Sequence, residues 1–81
     1  MKDKILVLMS EIAAENGVQL RQDITDMTVL LDSGLDSLGF ATLVARLEEE
    51  VGFDPFTLMD EPVYPQTLGE LVAIYERFLP R

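Results

Sequence analysis

Residues 36–52 read DSLGFATLVARLEEEVG, and this segment indicates the fold class most clearly. Its apolar side chains recur at steps of three and four residues, which places them on one face of an α-helix. Asp36 is a residue type that caps helix N-termini, because its side-chain oxygen can accept from the free N–H groups of the first turn, and Gly52 is typical of a helix end. We therefore predict an amphipathic helix from Ser37 to about Val51. Its buried stripe comprises Phe40, Leu43, Val44, Leu47 and Val51.

The N-terminal segment also repeats its apolar residues at helical spacing. We predict a helix over residues 3–16, with Asp3 available to cap its start. Gly17 follows directly, as expected just past a helix end, where a positive φ is needed. The side chains predicted to be buried are Ile5, Leu8, Met9, Ile12 and Ala13.

A long connection separates these two helices, from Val18 to about Leu35. It is rich in turn-forming residues, yet it also carries apolar side chains that a solvated linker would not need. We therefore expect an ordered loop that packs across the bundle, and loops of this length inside a compact domain are usually functional. The apolar residues concerned are Leu20, Ile24, Met27, Val29, Leu30 and Leu31.

The C-terminal third contains a weak helical signal followed by a strong one. Residues 57–61 are predicted to form at most one short helical turn, ended by Pro62. Thr67 and Glu70 then fit a capping box, in which each side chain satisfies the other residue's free N–H, and a last helix is expected up to Pro80. Its apolar face comprises Leu68, Leu71, Val72, Tyr75, Phe78 and Leu79. Further core residues are expected to be Phe53, Phe56, Met59 and Tyr64.

Together these segments predict an all-α fold. It is a small helical bundle of three main helices plus a short fourth, with a long ordered loop between the first two. The chain has 81 residues, the length of one domain, so we assign residues 1–81 to a single domain.

The charge balance excludes two classes of partner. Six basic residues stand against 15 acidic ones, which gives a net charge of −9. Nucleic acids and anionic membrane surfaces are bound by clustered Lys and Arg. We therefore expect neither nucleic-acid binding nor stable membrane association.

The sequence contains no Cys and no His. Thiolate nucleophiles, zinc–sulfur sites and Ser-His-Asp triads are thereby excluded, so we do not expect an enzyme. The apolar run from Ile5 to Met9 is shorter than the roughly 7–15 residues of a secretion signal, which predicts a cytoplasmic protein.

Residues 30–38 read LLDSGLDSL and place a serine at the mouth of the central helix, after a glycine turn. This segment resembles the acyl carrier protein and phosphopantetheine-binding family, which is marked by Gly-x-Asp-Ser-Leu. The matching residues are Gly34, Asp36, Ser37 and Leu38. The resemblance extends over nearly the whole chain and includes the leading helix, the long loop and the closing helix.

The resemblance implies that Ser37 is not a catalyst but the attachment point of 4′-phosphopantetheine, donated by coenzyme A. The implied partners are a phosphopantetheinyl transferase, an acyl- or aminoacyl-loading ligase and downstream acyl-transferring enzymes. The cofactor's terminal thiol would carry acyl or aminoacyl groups as thioesters. Asp36 and Leu38 support the motif: Asp36 as the cap that fixes the turn, and Leu38 as a side chain expected to face the bundle and anchor the same turn.

The central helix departs from fatty-acid carriers, which are acidic along much of this helix. Gly39, Thr42 and Arg46 occupy upstream positions, expected to be exposed, where those carriers often have acids; the range 48–50 keeps its glutamates. Gly39 is compatible with two interpretations: it leaves room beside Ser37 for the cofactor or a docking enzyme, or glycine is simply tolerated near a helix start. The departure favours a specialised free-standing carrier, in a lipid, polyketide or peptide pathway, that acts as a monomer.

Two alternatives remain open at this stage. Asp36-Ser37 has the composition of any ordinary helix start, since Asp and Ser are preferred at caps. The chain would then be an acidic helical adaptor that binds a basic protein partner without a cofactor. The glutamates at 48–50 are equally compatible with a merely solvated helix face.

Overall fold

The computed structural model describes residues 1–58 and 64–78. Within these ranges the chain forms α-helices and a short 3-10 turn but no strand, which confirms the predicted all-α fold. The 3-10 turn, Leu30–Asp32, lies in the long loop between the first two helices. The helices are α1 (Lys2–Glu15), α2 (Ser37–Val51), α3 (Pro55–Leu58) and α4 (Leu68–Phe78).

Helix α1 begins one residue earlier than predicted. Met1 is its cap residue and makes no side-chain capping bond, so the prediction of Asp3 as cap is wrong. Asp3 lies inside the first turn instead, where its carboxylate faces the positive end of the helix dipole. Gly17 has the expected positive φ, at 69°.

Helix α2 has the predicted bounds, and Gly52 ends it in the left-handed conformation with φ 87°. Helix α3 begins at Pro55 rather than at residue 57. Proline suits a first helical position, because its missing N–H would have no partner there, and the Asp54 carboxylate accepts from the N–H of Phe56 at 2.9 Å. The predicted stop at Pro62 lies outside the described residues, as do residues 59–61 with Met59.

Helix α4 opens with a capping arrangement that differs from the prediction in one bond. The Glu70 N–H donates to Thr67 Oγ1 at 3.2 Å, as expected. The Glu70 carboxylate, however, accepts from the N–H of Gln66 at 2.7 Å rather than from that of Thr67. Leu79 and Pro80 lie outside the described residues.

The hydrophobic core is formed by α1, α2, α4 and two residues of the long loop. Its buried members are Ile5, Leu8, Met9, Ile12, Ala13, Leu30, Leu35, Leu43, Leu47, Leu68, Leu71, Val72 and Tyr75. Phe40, Phe53 and Phe56 pack against it half-buried. Tyr64, predicted to be in the core, is exposed.

Tyr75 is fully buried, and its hydroxyl finds no hydrogen-bond partner among the described residues. Burial, reinforced by the carboxylates of Asp54 and Glu48, raises the pKa of Tyr75 to about 12, because the phenolate form loses most of its hydration. The ring packs against the rings of Phe53 and Phe56 at centroid distances of 6.1 and 6.3 Å. Tyr75 is therefore a neutral packing residue at ordinary pH.

The long loop is ordered by hydrogen bonds to the start of α4. The Leu30 N–H donates to the Gln66 carbonyl at 2.8 Å, and the Leu68 N–H donates to the Thr28 carbonyl at 3.0 Å. Leu20 and Ile24 pack on the core as predicted. Three other apolar residues of the loop were expected to pack and are exposed instead: Met27, Val29 and Leu31.

Ion pairs connect α1 to its neighbours. Lys2 contacts Asp26 of the loop at 2.8 Å, and Lys4 contacts Glu50 of α2 at 3.6 Å. These pairs are exposed to solvent, so each contributes little to stability.

Within the described ranges, none of the helices combines the length and apolar character needed to cross a membrane.

Candidate functional site

Ser37 is the first residue of α2, and its side chain is exposed. Asp36 precedes it in an extended conformation, and Asp36 Oδ1 accepts from the N–H of Gly39 at 2.7 Å. This bond satisfies one of the N–H groups that a helix start leaves free and fixes the direction in which the chain enters the helix. The predicted cap is confirmed, and it holds Ser37 at a defined point of the surface.

Gly34 allows the long loop to adopt the backbone conformation that leads into the start of α2. Its φ is +117°, and a Cβ atom there would lie 2.6 Å from the Gln19 carbonyl oxygen, far inside van der Waals contact. Glycine is therefore required by the backbone conformation and by the close approach of the two loop segments.

Buried Ser33 stabilises the same loop through hydrogen bonds. The sequence analysis did not predict this role. Ser33 is fully buried, its Oγ donates to the Leu30 carbonyl at 2.5 Å, and its carbonyl accepts from the Arg21 N–H at 2.9 Å. A small hydroxyl residue followed by glycine in a tight turn was the available signal.

Leu38 does not face the bundle, so that prediction is wrong. Its side chain is 70% exposed, whereas Leu35 is 3% exposed and anchors the turn instead. The reason is helical geometry: Leu38 precedes the buried Leu43 by five residues, which is about 140° around the helix.

Gly39 was expected at an exposed position beside Ser37 and is buried. A Cβ at Gly39 would lie 3.3 Å from both Asp36 Oδ1 and the Leu35 side chain. The space beside the Gly39 backbone is thus filled by the side chains of Asp36 and Leu35 and does not accommodate a ligand.

The other two upstream positions are half-buried rather than exposed. Thr42 Oγ1 donates to the Leu38 carbonyl at 3.0 Å. Arg46 forms a two-pronged pair with the Glu15 carboxylate of α1. The hydrogen bond from Arg46 lowers the pKa of Glu15 below its usual value and keeps that carboxylate charged.

A cleft of about 420 Å³ opens beside Ser37. A second cavity of about 370 Å³ shares Phe40 and Tyr64 with the first and continues toward α3. The cleft is lined by Val29, Leu30, Leu31, Ser37, Phe40, Tyr64, Pro65 and Gln66. The sequence analysis did not identify it, because it forms only where the loop, α2 and the segment before α4 meet.

The site presents an alcohol without chemical activation. The adjacent Asp36 carboxylate accepts the Gly39 N–H, and the described residues hold no cluster of three carboxylates that could bind a metal ion. An exposed hydroxyl at the positive end of a helix does suit a phosphodiester, since N–H groups and the dipole favour negative charge there. The residues present therefore fit an attached phosphate-linked group.

Comparisons with known proteins agree with this geometry. A family model described as a phosphopantetheine attachment site matches residues 4–63, which include the long loop and all of α2. Comparisons with curated proteins and with solved structures gave no match. The match covers well over half of the chain, which therefore belongs to the phosphopantetheine-binding family of carrier proteins, whose domain carries covalently attached 4′-phosphopantetheine.

Proposed function

We propose that Ser37 is the attachment residue, and that the protein delivers acyl or aminoacyl groups, held as thioesters, between partner enzymes. The observation that carries the proposal is an exposed serine at the first position of α2, inside the segment that the family model matches. Gly34, Asp36 and Leu38 complete the Gly-x-Asp-Ser-Leu motif around it.

Attachment is a phosphoryl transfer in which this chain supplies only the nucleophile. Ser37 Oγ forms a bond to the pyrophosphate phosphorus of coenzyme A that bears the pantetheine, and a base of the transferase takes the hydroxyl proton. The P–O bond of the pyrophosphate breaks, and 3′,5′-ADP leaves with the bridging oxygen. Asp36 fixes the turn that presents this nucleophile, because its Oδ1 accepts from the Gly39 N–H. Once bound, the cofactor supplies a thiol that carries the cargo as a thioester.

The start of α2 stabilises the attached group electrostatically. A negative charge at a helix N-terminus gains about 0.3–1 kcal/mol from the dipole and the free N–H groups. Asp36 opposes this gain through its own charge. The main task of the chain's residues is to keep Ser37 exposed and its turn rigid.

A specialised pathway suits the surface of α2 better than general fatty-acid synthesis. The range 37–45 contains no charged residue, and Arg46 is paired with Glu15. A basic enzyme that recognises its carrier through an acidic α2 would meet glutamates only at the C-terminal end of this helix, in the range 48–50. We expect the delivery of acyl or aminoacyl groups between partner enzymes to take place in the cytoplasm, where carriers of this family typically act.

The proposal is tested by intact-mass analysis after incubation with coenzyme A and a broad-specificity phosphopantetheinyl transferase. The wild type is expected to gain one phosphopantetheine unit, and Ser37→Ala is expected to gain none. Ser10→Ala is the matched control, because Ser10 is also an exposed helical serine and its loss should leave the gain intact. No gain in the wild type, with a transferase active on other carriers, would overturn the proposal and favour the acidic adaptor.

The nature of the cargo is tested separately. Mass analysis of the thioester recovered from native cells should show an acyl or aminoacyl group other than the ordinary intermediates of fatty-acid synthesis. Recovery of a straight saturated acyl series would contradict the specialised pathway and leave the attachment at Ser37 unaffected.

A further inference from the structure

The long loop and the start of α4 are joined by their backbones. We call this contact the loop–α4 junction; it consists of residues 26–30 and 66–69. Val29 and Thr67 pair at its centre as an isolated antiparallel bridge. Backbone hydrogen bonds fix the spacing and the register of the two segments, although they are distant in the chain. These bonds run from the N–H of Leu30 to Gln66 at 2.8 Å, from that of Leu68 to Thr28 at 3.0 Å and from that of Gly69 to Asp26 at 2.9 Å.

Gly69 allows the two segments to come this close. A Cβ atom at Gly69 would lie 2.9 Å from the Asp26 carbonyl oxygen and 3.0 Å from the Asp26 Cβ. Both neighbouring atoms belong to the backbone or are fixed to it, so a side chain at Gly69 would have to push the loop away from α4. The junction therefore depends on the absence of a side chain at this position.

The junction connects two of the three walls of the cleft beside Ser37. Residues 29–31 of the loop form one wall, residues 64–66 before α4 form the second, and Ser37 and Phe40 of α2 form the third. In the part of the chain that the structure describes, no hydrogen bond or ion pair links α2 to either of the other two walls. The wall formed by α2 is thus held differently from the other two.

The polar contacts of α2 with other elements are directed to α1 instead. Arg46 pairs with Glu15, and Glu50 pairs with Lys4. On the side of the cleft, Phe40 is half-buried against the core. Apolar contacts have no preferred direction, so packed helices can slide by small amounts, whereas backbone hydrogen bonds fix both distance and angle.

We propose that the loop–α4 junction makes two walls of the cleft one rigid unit, and that the cleft changes its width only by movement of α2 relative to this unit. Phe40 lies on the moving wall and lines both the cleft and the second cavity, so a shift of α2 alters both spaces together. The inference goes beyond the proposed function, because it concerns the chain before any cofactor is attached.

A reversible disulfide across the junction tests which walls move. The chain has no cysteine, so a pair introduced at positions 29 and 67 can form only one disulfide within the chain. Residues opposite each other in an antiparallel pair have Cα atoms about 4.5–5.5 Å apart, within the range of about 4.4–6.8 Å that a disulfide spans. The variant therefore carries Val29→Cys and Thr67→Cys. Its reduced form is the matched control, because both forms lose the Thr67 hydroxyl that caps α4.

The measurement is the binding of Nile red, a neutral apolar dye, to the protein without cofactor. If the two walls already move as one unit, oxidation should leave the Kd and the association rate of the dye within about twofold of the reduced form. Phe40→Ala in the same background should weaken dye binding at least about fivefold, because an apolar contact in the cleft is lost.

Hydrogen exchange tests the rigid unit directly. The N–H groups of Leu30, Leu68 and Gly69 are expected to have protection factors within about threefold of one another, as members of one cooperative unit. Gly69→Ala should lower all three by at least about tenfold more than it lowers the protection of the Leu43 N–H in α2. Asp26→Asn is the matched control, because it retains the backbone carbonyl that accepts from Gly69 and should leave the three values within about twofold of the wild type.

Three outcomes would overturn the inference. Oxidation that slows dye association tenfold or more would mean that the loop wall and the α4-side wall must separate (about 1.4 kcal/mol in the barrier). Independent exchange of the three N–H groups would show that the junction is not one unit. Dye binding that is absent, or unchanged by Phe40→Ala, would show that the cleft does not widen for a ligand. None of these results affects the mass gain expected at Ser37, and a missing mass gain would leave these measurements valid.

Discussion

Gly34 shows how a single residue can fix the geometry of the site. Its backbone has a φ of +117°, and the space of a side chain is filled by the Gln19 carbonyl at 2.6 Å from the Cβ position. Two penalties therefore combine in any substitution: backbone strain and a clash with backbone atoms that cannot rotate away.

We expect Gly34→Ala to lower the free energy of unfolding by more than about 3 kcal/mol, measured by urea denaturation. Gly17→Ala is the matched control, because Gly17 also has a positive φ, 69°, but nothing lies within 4 Å of its Cβ position. The control should cost about 1–2 kcal/mol, from backbone strain alone. Equal costs for the two variants would contradict the close approach to Gln19.

Two leucines at the start of α2 have different roles. Leu35 is buried against the core and positions the turn, whereas Leu38 extends into solvent on the side of Ser37. Helical spacing places Leu38 about 140° around α2 from the buried Leu43, which explains its exposure. Leu35 precedes the helix, so its burial depends on how the loop packs on the core.

We expect Leu35→Ala to destabilise the fold by about 2–4 kcal/mol, through lost burial and a residual cavity. Leu38→Ala should change the unfolding free energy by less than about 0.5 kcal/mol, because an exposed side chain loses little on truncation. Chemical denaturation of both variants checks this contrast. A large loss for Leu38→Ala would mean that its side chain packs on the bundle after all.

For the whole molecule, the net charge of −9 is the dominant electrostatic property. Carboxylates spread over a small bundle repel one another in the folded state more than in the expanded unfolded chain. Ion pairs such as those of Lys2 with Asp26 and Lys4 with Glu50 are exposed and offset little of this repulsion.

We expect moderate salt or divalent cations to raise the melting temperature by at least about 4 °C, since salt screens the repulsion more than it weakens the few attractive pairs. Thermal unfolding followed by circular dichroism at low and moderate ionic strength measures the shift. Glu48→Gln with Glu49→Gln in one variant should reduce the response to salt. A melting temperature that is insensitive to ionic strength would show that self-repulsion is not important for this fold.

Local patterns in the amino-acid sequence are enough to predict the features that depend on neighbours a few residues apart. The bounds of α2, the Asp36 cap, the positive φ of Gly17, the helix end at Gly52 and the position of Ser37 at a helix start were all predicted. Each results from periodicity, from a side chain bonding to a nearby backbone group, or from a conformation that glycine favours.

Features that depend on segments distant in the chain follow from tertiary packing. It buried Leu35, paired Arg46 with Glu15, and formed the cleft beside Ser37. Such features depend on the angles and distances at which helices and loops pack. Hydrophobic spacing gives each element a buried face, but the choice among residues at the edge of that face is made by the elements packed against it.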